Sequence, residues 1–291
     1  MVQRISDTYY VDPADPRAPS QAEWDRMTPA ERERVVAMLP SEDSLELMPP
    51  EGDPHWNAKA DARRTLEAFF RRTGRKVYLS SELSVYYPGE PRFAPDVLAV
   101  LDVEPHDRTK WVVTTEGKGL DLVIEVHHQG DPVKDYETNV VRYARLGIAE
   151  YFIFDRGKLT LHGYRLPKVA SARKGRGRVY QRILPQQGRY TSEVLGLDLM
   201  VVESKMRFFV GMAPLPEAEE LIAKFGSMLD DVIIHQQDAE QRAEIEAKRA
   251  EIETKRADTA EKRARKEAKR ADTAERLLAE ARATIEKLKG G

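Results

Sequence analysis

The sequence predicts an α/β (α+β) domain with a mixed sheet flanked by helices, followed by a long charged helix. Short continuous apolar runs are typical of strands buried on both faces. Between them lie segments with apolar residues at helical spacing and recognisable start and stop signals. A seven-residue repeat near the end predicts the final helix. These patterns divide the chain into a flexible N-terminal arm (1–26), a folded domain (27–235) and a charged heptad-repeat helix or weak coiled coil (236–291).

The composition limits the class of protein. The 291 residues suffice for one good-sized domain plus an appendage. The net charge of −2 means that a nucleic-acid-binding surface has to be local. The absence of cysteine excludes disulfides, cysteine-ligated zinc and thiol catalysis, and is compatible with a reducing compartment. No apolar run suits a membrane span and no signal peptide is recognisable, so we expect a cytoplasmic protein with no membrane partner.

Two helix starts precede the strands. Residues 28–31, Thr-Pro-Ala-Glu, form a predicted capping box with proline at the first helical position. Asp53-Pro54 opens a second predicted helix that ends near Gly74 and carries apolar residues at helical spacing: Ala62, Leu66, Phe69 and Phe70.

The strands follow in order. Predicted strands cover 77–79, 83–87, 97–101, 120–126, 151–154 and 159–166. A helix from Asp131-Pro132 to Leu146-Gly147 separates the fourth strand from the fifth, which predicts a parallel crossover. Residues 167–189 are strongly basic, and a solvated hairpin loop and a phosphate-contacting patch both stay open. Three aromatic pairs are expected in the core: Phe69-Phe70, Tyr86-Tyr87 and Phe208-Phe209.

The tail repeats every seven residues. Alanine recurs at 243, 250, 257, 264 and 271, and Leu278 and Ile285 continue the series. The companion positions, three residues after each of these, are mostly glutamate or alanine. Pairs in which an acidic residue lies four positions before a basic one, such as Glu244–Lys248, stabilise a helix. A long charged helix is predicted. A weak parallel coiled coil, a solitary helix and a partner-dependent helix remain open, and homo-oligomerisation through 236–291 is one consequence.

Acidic residues occur where burial should disfavour them. Asp96 begins an apolar strand, and Glu125 lies near the end of the next one with Asp121 on its face. Buried carboxylates are costly unless they are paired or bind a cation. A divalent cation such as Mg²⁺ prefers oxygen ligands and can activate a water for attack on a phosphodiester. The alternative is that these acids cap strand ends and form salt bridges with arginines.

A wider pattern carries a family resemblance. Phe93-Ala94-Pro95-Asp96-Val97, 122–126 (Leu-Val-Ile-Glu-Val), Lys134-Asp135 and 143–152 with its Gly-Ile-x-Glu-Tyr turn occur in this order, ending at Asp155. This pattern resembles the Uma-type family of restriction-endonuclease-like proteins, in the PD-(D/E)XK nuclease superfamily, over roughly residues 28–210. The resemblance implies a sheet flanked by helices, Asp96 and Glu125 as ligands of Mg²⁺ or Mn²⁺, and DNA as the substrate.

The lysine of the family pattern is missing from both of its usual places. Two residues beyond the glutamate stands His127, and one turn before Tyr143 stands Asn139. Lys134, His127 and His128 are the candidate replacements, with His127 favoured over His128 because it shares a strand face with Glu125. Four helical residues are further candidates for lining the site: Asp61, Glu67, Asp135 and Arg142. His55 matches a histidine that recurs at this place in the family, and a role in capping the helix is sufficient to explain it.

Three functions therefore stand open. The leading hypothesis is a metal-dependent endonuclease that hydrolyses DNA through a metal-activated water. The second is a catalytically impaired nuclease-fold protein that binds nucleic acid or protein and assembles through its C-terminal helix, motivated by Asn139. The third is a purely structural assembly protein that acts through its tail. No phosphate-binding glycine loop, HExxH helix or GxSxG turn points elsewhere.

Overall fold

The computed structural model describes residues 9–42, 52–128, 132–168 and 178–289. In these residues a π-helical turn, Lys134–Thr138, runs directly into α5. The helices that the described residues form are α1 (Gln21–Arg26), α2 (Pro29–Met38), α3 (Asp53–Thr73), α4 (Val113–Glu116), α5 (Asn139–Leu146) and α6 (Ala218–Lys289). The strands are β1 (Val77–Ser80), β2 (Val85–Tyr86), β3 (Val97–Leu101), β4 (Trp111–Val112), β5 (Leu122–His127), β6 (Glu150–Asp155), β7 (Thr160–Arg165), β8 (Gln181–Ile183), β9 (Tyr190–Ser192), β10 (Leu197–Val202), β11 (Lys205–Val210) and β12 (Ala213–Pro214).

The main sheet is mixed, as predicted. Its strand order is β1-β3-β5-β6-β7-β8, and β5 pairs with β6 in parallel while the other neighbours are antiparallel. The predicted crossover is confirmed, because the segment containing α5 joins these two parallel strands. A second, antiparallel sheet has the order β12-β11-β10-β9, and β2 and β4 form a short parallel pair.

The main sheet has a hydrophobic layer on each face. On one face, α3 and the second sheet pack against β5 residues such as Leu122 and Ile124. On the other face, Tyr143 of α5 packs near Val123. Because side chains alternate along a strand, Glu125 projects to the α5 side together with Val123. The three aromatic pairs expected in the core lie largely within these layers or in a smaller cluster around Tyr86.

Local signals explain where the early helices begin and end. The predicted capping box at α2 is present, with Thr28 N donating to Glu31 Oε2 at 2.7 Å and Glu31 N donating to Thr28 Oγ1 at 3.3 Å. Helix α3 ends at Gly74, whose φ of 71° is a left-handed conformation that glycine adopts without strain.

The segment predicted as a flexible N-terminal arm, 1–26, is partly helical in its described residues. Residues 21–26 form α1, and Ser20 and Glu23 make a second capping box. Val11 and Trp24 are buried, so this segment gains enough apolar contact to fold against the domain. Residues 1–8 lie outside the described part of the chain.

The chain divides into two compact units after Leu221. Helix α6 starts at Ala218, well before the predicted boundary at 235/236. Of the basic segment 167–189, residues 169–177 lie outside the described residues, and both interpretations of that segment stay predictions. No helix in the described residues is long and apolar enough to cross a membrane.

Candidate active site

Two carboxylates meet where β3 begins beside the end of β5. Val97 pairs with Ile124 across these antiparallel strands, which brings Asp96 next to Glu125. Asp96 N donates to Glu125 Oε2 at 3.3 Å, and Val126 N donates to Asp96 Oδ2 at 2.7 Å. The backbone of two neighbouring strands therefore holds both side chains in place.

Glu125 lies in the protein interior. Its side chain is only 3% exposed, and Tyr143 OH of α5 donates to its Oε1 at 2.7 Å. Burial raises the pKa of Glu125 well above its ordinary value, and the negative charge of Asp96 raises the pKa further. The positive charge of Lys134 and the hydrogen bond from Tyr143 oppose this shift. The negatively charged form of Glu125 is thus costly in the absence of a cation.

The pKa of Asp96 is shifted in the opposite direction, below its ordinary value. Burial by itself would raise its pKa, but hydrogen bonds from His55 and Val126 N and the charge of Lys59 hold the pKa below its ordinary value. His55 Nε2 lies 3.3 Å from Asp96 Oδ2, and Lys59 Nζ lies 3.9 Å from Asp96 Oδ1. His55 therefore contacts the acidic pair, a role that helix capping does not describe.

Lys59 is the residue that the sequence analysis missed. It is 3% exposed, and its ammonium group forms a second ion pair with Glu82. His55 and Lys59 are four residues apart on α3 and share one face of this helix. The first turns of α3 thus bring a histidine and a lysine to Asp96.

The acidic pair fits a hard divalent cation. The charge on Asp96 disfavours the charge on Glu125, and a cation between two carboxylates relieves that repulsion. Mg²⁺ commonly takes one or two carboxylates and keeps several waters, so two protein ligands are sufficient. Within the described residues, no group of three or more His, Asp or Glu side chains is arranged to enclose a metal ion. Two carboxylates leave the other positions around such an ion to water.

Asp135 contacts two of the other candidate residues, Asn139 and His127. Asn139, 4% exposed, donates from Nδ2 to Asp135 Oδ1 at 3.4 Å, and His127 Nδ1 lies 3.1 Å from Asp135 Oδ2. Lys134 is exposed, and its charge acts on Glu125. His127 ends β5, Asn139 begins α5, and Lys134 and Asp135 belong to the π-helical turn, an irregular helix geometry that is frequent at functional sites.

Several predicted lining residues have other partners. Asp121 precedes β5, accepts from Leu101 N at 2.7 Å and lies 3.2 Å from Lys118 Nζ. Asp61 and Glu67 of α3 pair with Lys205 and Arg63, at 3.4 and 2.8 Å. The guanidinium of Arg142 stacks on Phe93, with 4.5 Å to the ring centroid. His128 Nδ1 is buried with no hydrogen-bond partner among the described residues.

The fold and the acidic pair define a restriction-endonuclease-like α/β protein. The model of the Uma2 family, described as "Putative restriction endonuclease", matches residues 23–192. This match covers more than half of the chain, and the protein belongs to the Uma2 family.

Among solved structures, one similar chain is a "putative nuclease" of the DUF820 family from Anabaena variabilis. The two sequences are 13% identical, the TM-score is 0.37, and the matched region covers 51% of this chain and 76% of that chain. A comparison with curated proteins found no match.

Proposed function

We propose that this protein is a metal-dependent endonuclease that hydrolyses DNA phosphodiester bonds through a metal-activated water. The observation that carries the proposal is the meeting of Asp96 and Glu125, with Asp96 N donating to Glu125 Oε2 at 3.3 Å. Membership of a family described as restriction endonucleases supports DNA as the substrate. The two carboxylates are the protein ligands of Mg²⁺ or Mn²⁺ in this proposal.

The surrounding residues have separate roles. The bound cation supplies a more acidic water and neutralises charge that develops on the phosphate. Tyr143 orients Glu125 through the 2.7 Å hydrogen bond, and His55 orients Asp96. Lys59 and Lys134 supply positive charge next to the acidic pair, which favours an anionic phosphate there.

The first test measures the metal and the reaction together. We expect the full chain to bind Mn²⁺ in a calorimetric titration and to cleave supercoiled plasmid or single-stranded DNA in the presence of Mn²⁺. Chelation of the metal should stop cleavage, and added Mn²⁺ should restore it. A folded protein that gives neither binding heat nor cleavage with Mn²⁺ or Mg²⁺ would contradict the proposal.

We assign the role of the lysine in the family pattern to Lys134. The other candidates are Asn139 and His127, which Asp135 holds. The positive charge of Lys134 lowers the raised pKa of Glu125, and Lys134 begins the π-helical turn that also carries Asp135. We expect Lys134→Met to lower the cleavage rate about 100-fold, since removing one positioned stabilising group typically costs this much. Mn²⁺ binding by calorimetry should persist.

Lys158→Met is the matched control. Lys158 is also exposed, but its Nζ lies 3.1 Å from Asp155 Oδ2 and it has no assigned part in the acidic pair. We expect this variant to cleave at nearly the wild-type rate. Equal losses in the two variants would show that a general loss of basic surface charge, rather than Lys134 itself, explains the effect.

A second candidate function is a nuclease-fold binding module without catalysis. Asn139 favours it, because this neutral side chain stands where the family commonly has lysine and is held by Asp135. In that case the protein would bind DNA in a gel-shift assay and would cleave it with neither metal. Cleavage that depends on Lys134 would argue against this candidate.

A further inference from the structure

The second unit, residues 222–291, presents large apolar side chains to water. In the first part of α6, Ile222, Phe225, Leu229 and Val232 are 71%, 66%, 61% and 60% exposed. A helix normally buries such residues against a partner, since removing large apolar side chains from water is strongly favourable. This stripe therefore has the character of an interface.

The stripe follows a heptad register that continues through the tail. Ile222 and Leu229 are seven residues apart, and further steps of seven lead through Gln236 to Ala243 and the alanine series. Phe225 and Val232 begin the companion series of d positions. Large apolar residues thus occur at both ends of one seam, at 222–232 and again at Leu278, Ile285 and Leu288. The heptad pattern therefore begins well before Ala243, where the alanine series starts, and before 236, the predicted start of the charged helix.

We propose that α6 pairs with α6 of a second copy of this chain in a parallel, in-register, two-stranded coiled coil. The flanking charges support this orientation. In a parallel pair, each g position faces the e position of the next heptad in the partner. Three of the facing pairs, His235 with Glu240, Arg256 with Glu261, and Arg270 with Glu275, bring a basic residue to an acidic one, and the other g arginines face alanine or threonine.

The charges at the g positions, which flank the apolar seam, would disfavour an antiparallel pair. In that arrangement g positions face g positions, and the g series contains five arginines: Arg242, Arg249, Arg256, Arg263 and Arg270. Like charges placed opposite each other destabilise a helix pair. The parallel arrangement separates these arginines from one another, and two of them, Arg256 and Arg270, face glutamates.

The middle of the seam favours a coiled coil of two helices with modest stability. Glu246, Glu253 and Glu267 occupy d positions, where they meet their own copies in the partner. Arg249, Arg256 and Arg270 follow them by three residues and offset this charge. A two-stranded pair leaves d side chains partly exposed to water, whereas larger bundles enclose them. The apolar ends therefore carry most of the association.

Mass in solution tests the dimer independently of nuclease activity. We expect the full chain, 33.2 kDa per copy, to have twice this mass in sedimentation equilibrium at high concentration and to dissociate on dilution. Val232→Glu puts a charge into the seam and should weaken the dimer about 100-fold or more. Its matched control is Ile234→Glu, which changes a side chain 53% exposed and outside the a and d positions.

These measurements have clear contrary outcomes. A monomeric wild-type chain at all concentrations would overturn the proposal. So would a dimer that survives Val232→Glu, or one that Ile234→Glu weakens equally. Circular dichroism of each variant shows whether the folded domain is retained, so a misfolded variant is not mistaken for a dissociated one.

A single cysteine tests the orientation. The chain contains no cysteine, so Ile285→Cys introduces a unique thiol at an a position near the end of the seam. In the parallel dimer the two thiols face each other and should form a disulfide under mild oxidation. In a fully overlapped antiparallel dimer they would lie about 90 Å apart, from a rise of 1.5 Å per residue. A dimer without this cross-link would overturn the parallel register.

Discussion

Asp96→Asn and Glu125→Gln are each expected to lower Mn²⁺-dependent DNA cleavage about 1,000-fold or more and to weaken Mn²⁺ binding. Both changes keep the size of the side chain and remove the negative charge that would attract a divalent cation. The two carboxylates are adjacent, and both are ligands in the proposed site. Losing one ligand therefore removes metal binding and water activation together. Calorimetric titration and the cleavage rate measure the two effects.

Asp121→Asn is the matched control for this pair. Asp121 is also a carboxylate beside β5, but it accepts from Leu101 N and lies near Lys118 rather than Glu125. We expect it to retain metal binding and cleavage, with some loss of stability. If Asp96→Asn and Glu125→Gln cleave DNA normally, or if Asp121→Asn is equally damaging, the assignment of the metal ligands is wrong.

Glu125→Gln should be folded in spite of its buried position. Because burial already disfavours the charged form of Glu125, a neutral amide of the same shape removes a costly charge from the interior. Tyr143 OH can still donate to the amide oxygen. A thermal unfolding midpoint close to that of the wild type would separate loss of a ligand from loss of the fold.

The central strands were predictable because each carries a strong local signal. Val97–Leu101 is an apolar run between a proline-aspartate and a turn, and β3 has these same bounds. The segment 83–87 was predicted too long, since Val85–Tyr86 alone pairs with β4 and the flanking residues 83, 84 and 87 have no regular secondary structure. The helix within the predicted arm was not foreseen because its buried residues, Val11 and Trp24, are few and lie in a polar segment.

Only part of the candidate site could be predicted from the sequence. Asp96 and Glu125 were found because a carboxylate inside an apolar strand is locally conspicuous. Lys59 was missed because its meeting with Asp96 depends on how α3 packs on the sheet, which no short-range pattern reveals. One signal was nevertheless present: His55 and Lys59 extend the buried stripe of α3 backwards from Ala62 and Leu66, and polar residues on such a stripe point to a partner inside the protein.

Glu150 shows that a residue in a family motif can serve the fold. It belongs to the Gly-Ile-x-Glu-Tyr turn, is 1% exposed and begins β6. Arg165 Nε of β7 donates to its Oε1 at 2.6 Å, and Glu193 N donates to the same oxygen at 2.8 Å. The hydroxyl of Ser192, at the end of β9, donates to Oε2. This carboxylate therefore ties the second sheet to the main sheet.

Glu150→Ala is expected to lower the free energy of unfolding by about 3–5 kcal/mol, as removal of one partner of a buried ion pair typically does. Arg165 would keep a partly buried charge without its main acceptor, and the Ser192 hydroxyl and the Glu193 amide would also lose theirs. Urea titration followed by circular dichroism measures this loss. Since a domain is stable by only about 5–15 kcal/mol, a large share of the stability is at stake.

Glu193→Ala is the matched control for Glu150→Ala. Glu193 also pairs with Arg165, at 2.9 Å, but its side chain is 41% exposed, so water replaces the lost interaction and the urea midpoint should change little. Arg165→Ala added to Glu150→Ala should cost less than the sum of the single changes, because the stranded charge is removed with its partner. Strict additivity, or equal losses from Glu193→Ala and Glu150→Ala, would mean that Glu150 does not join the two sheets through this ion pair.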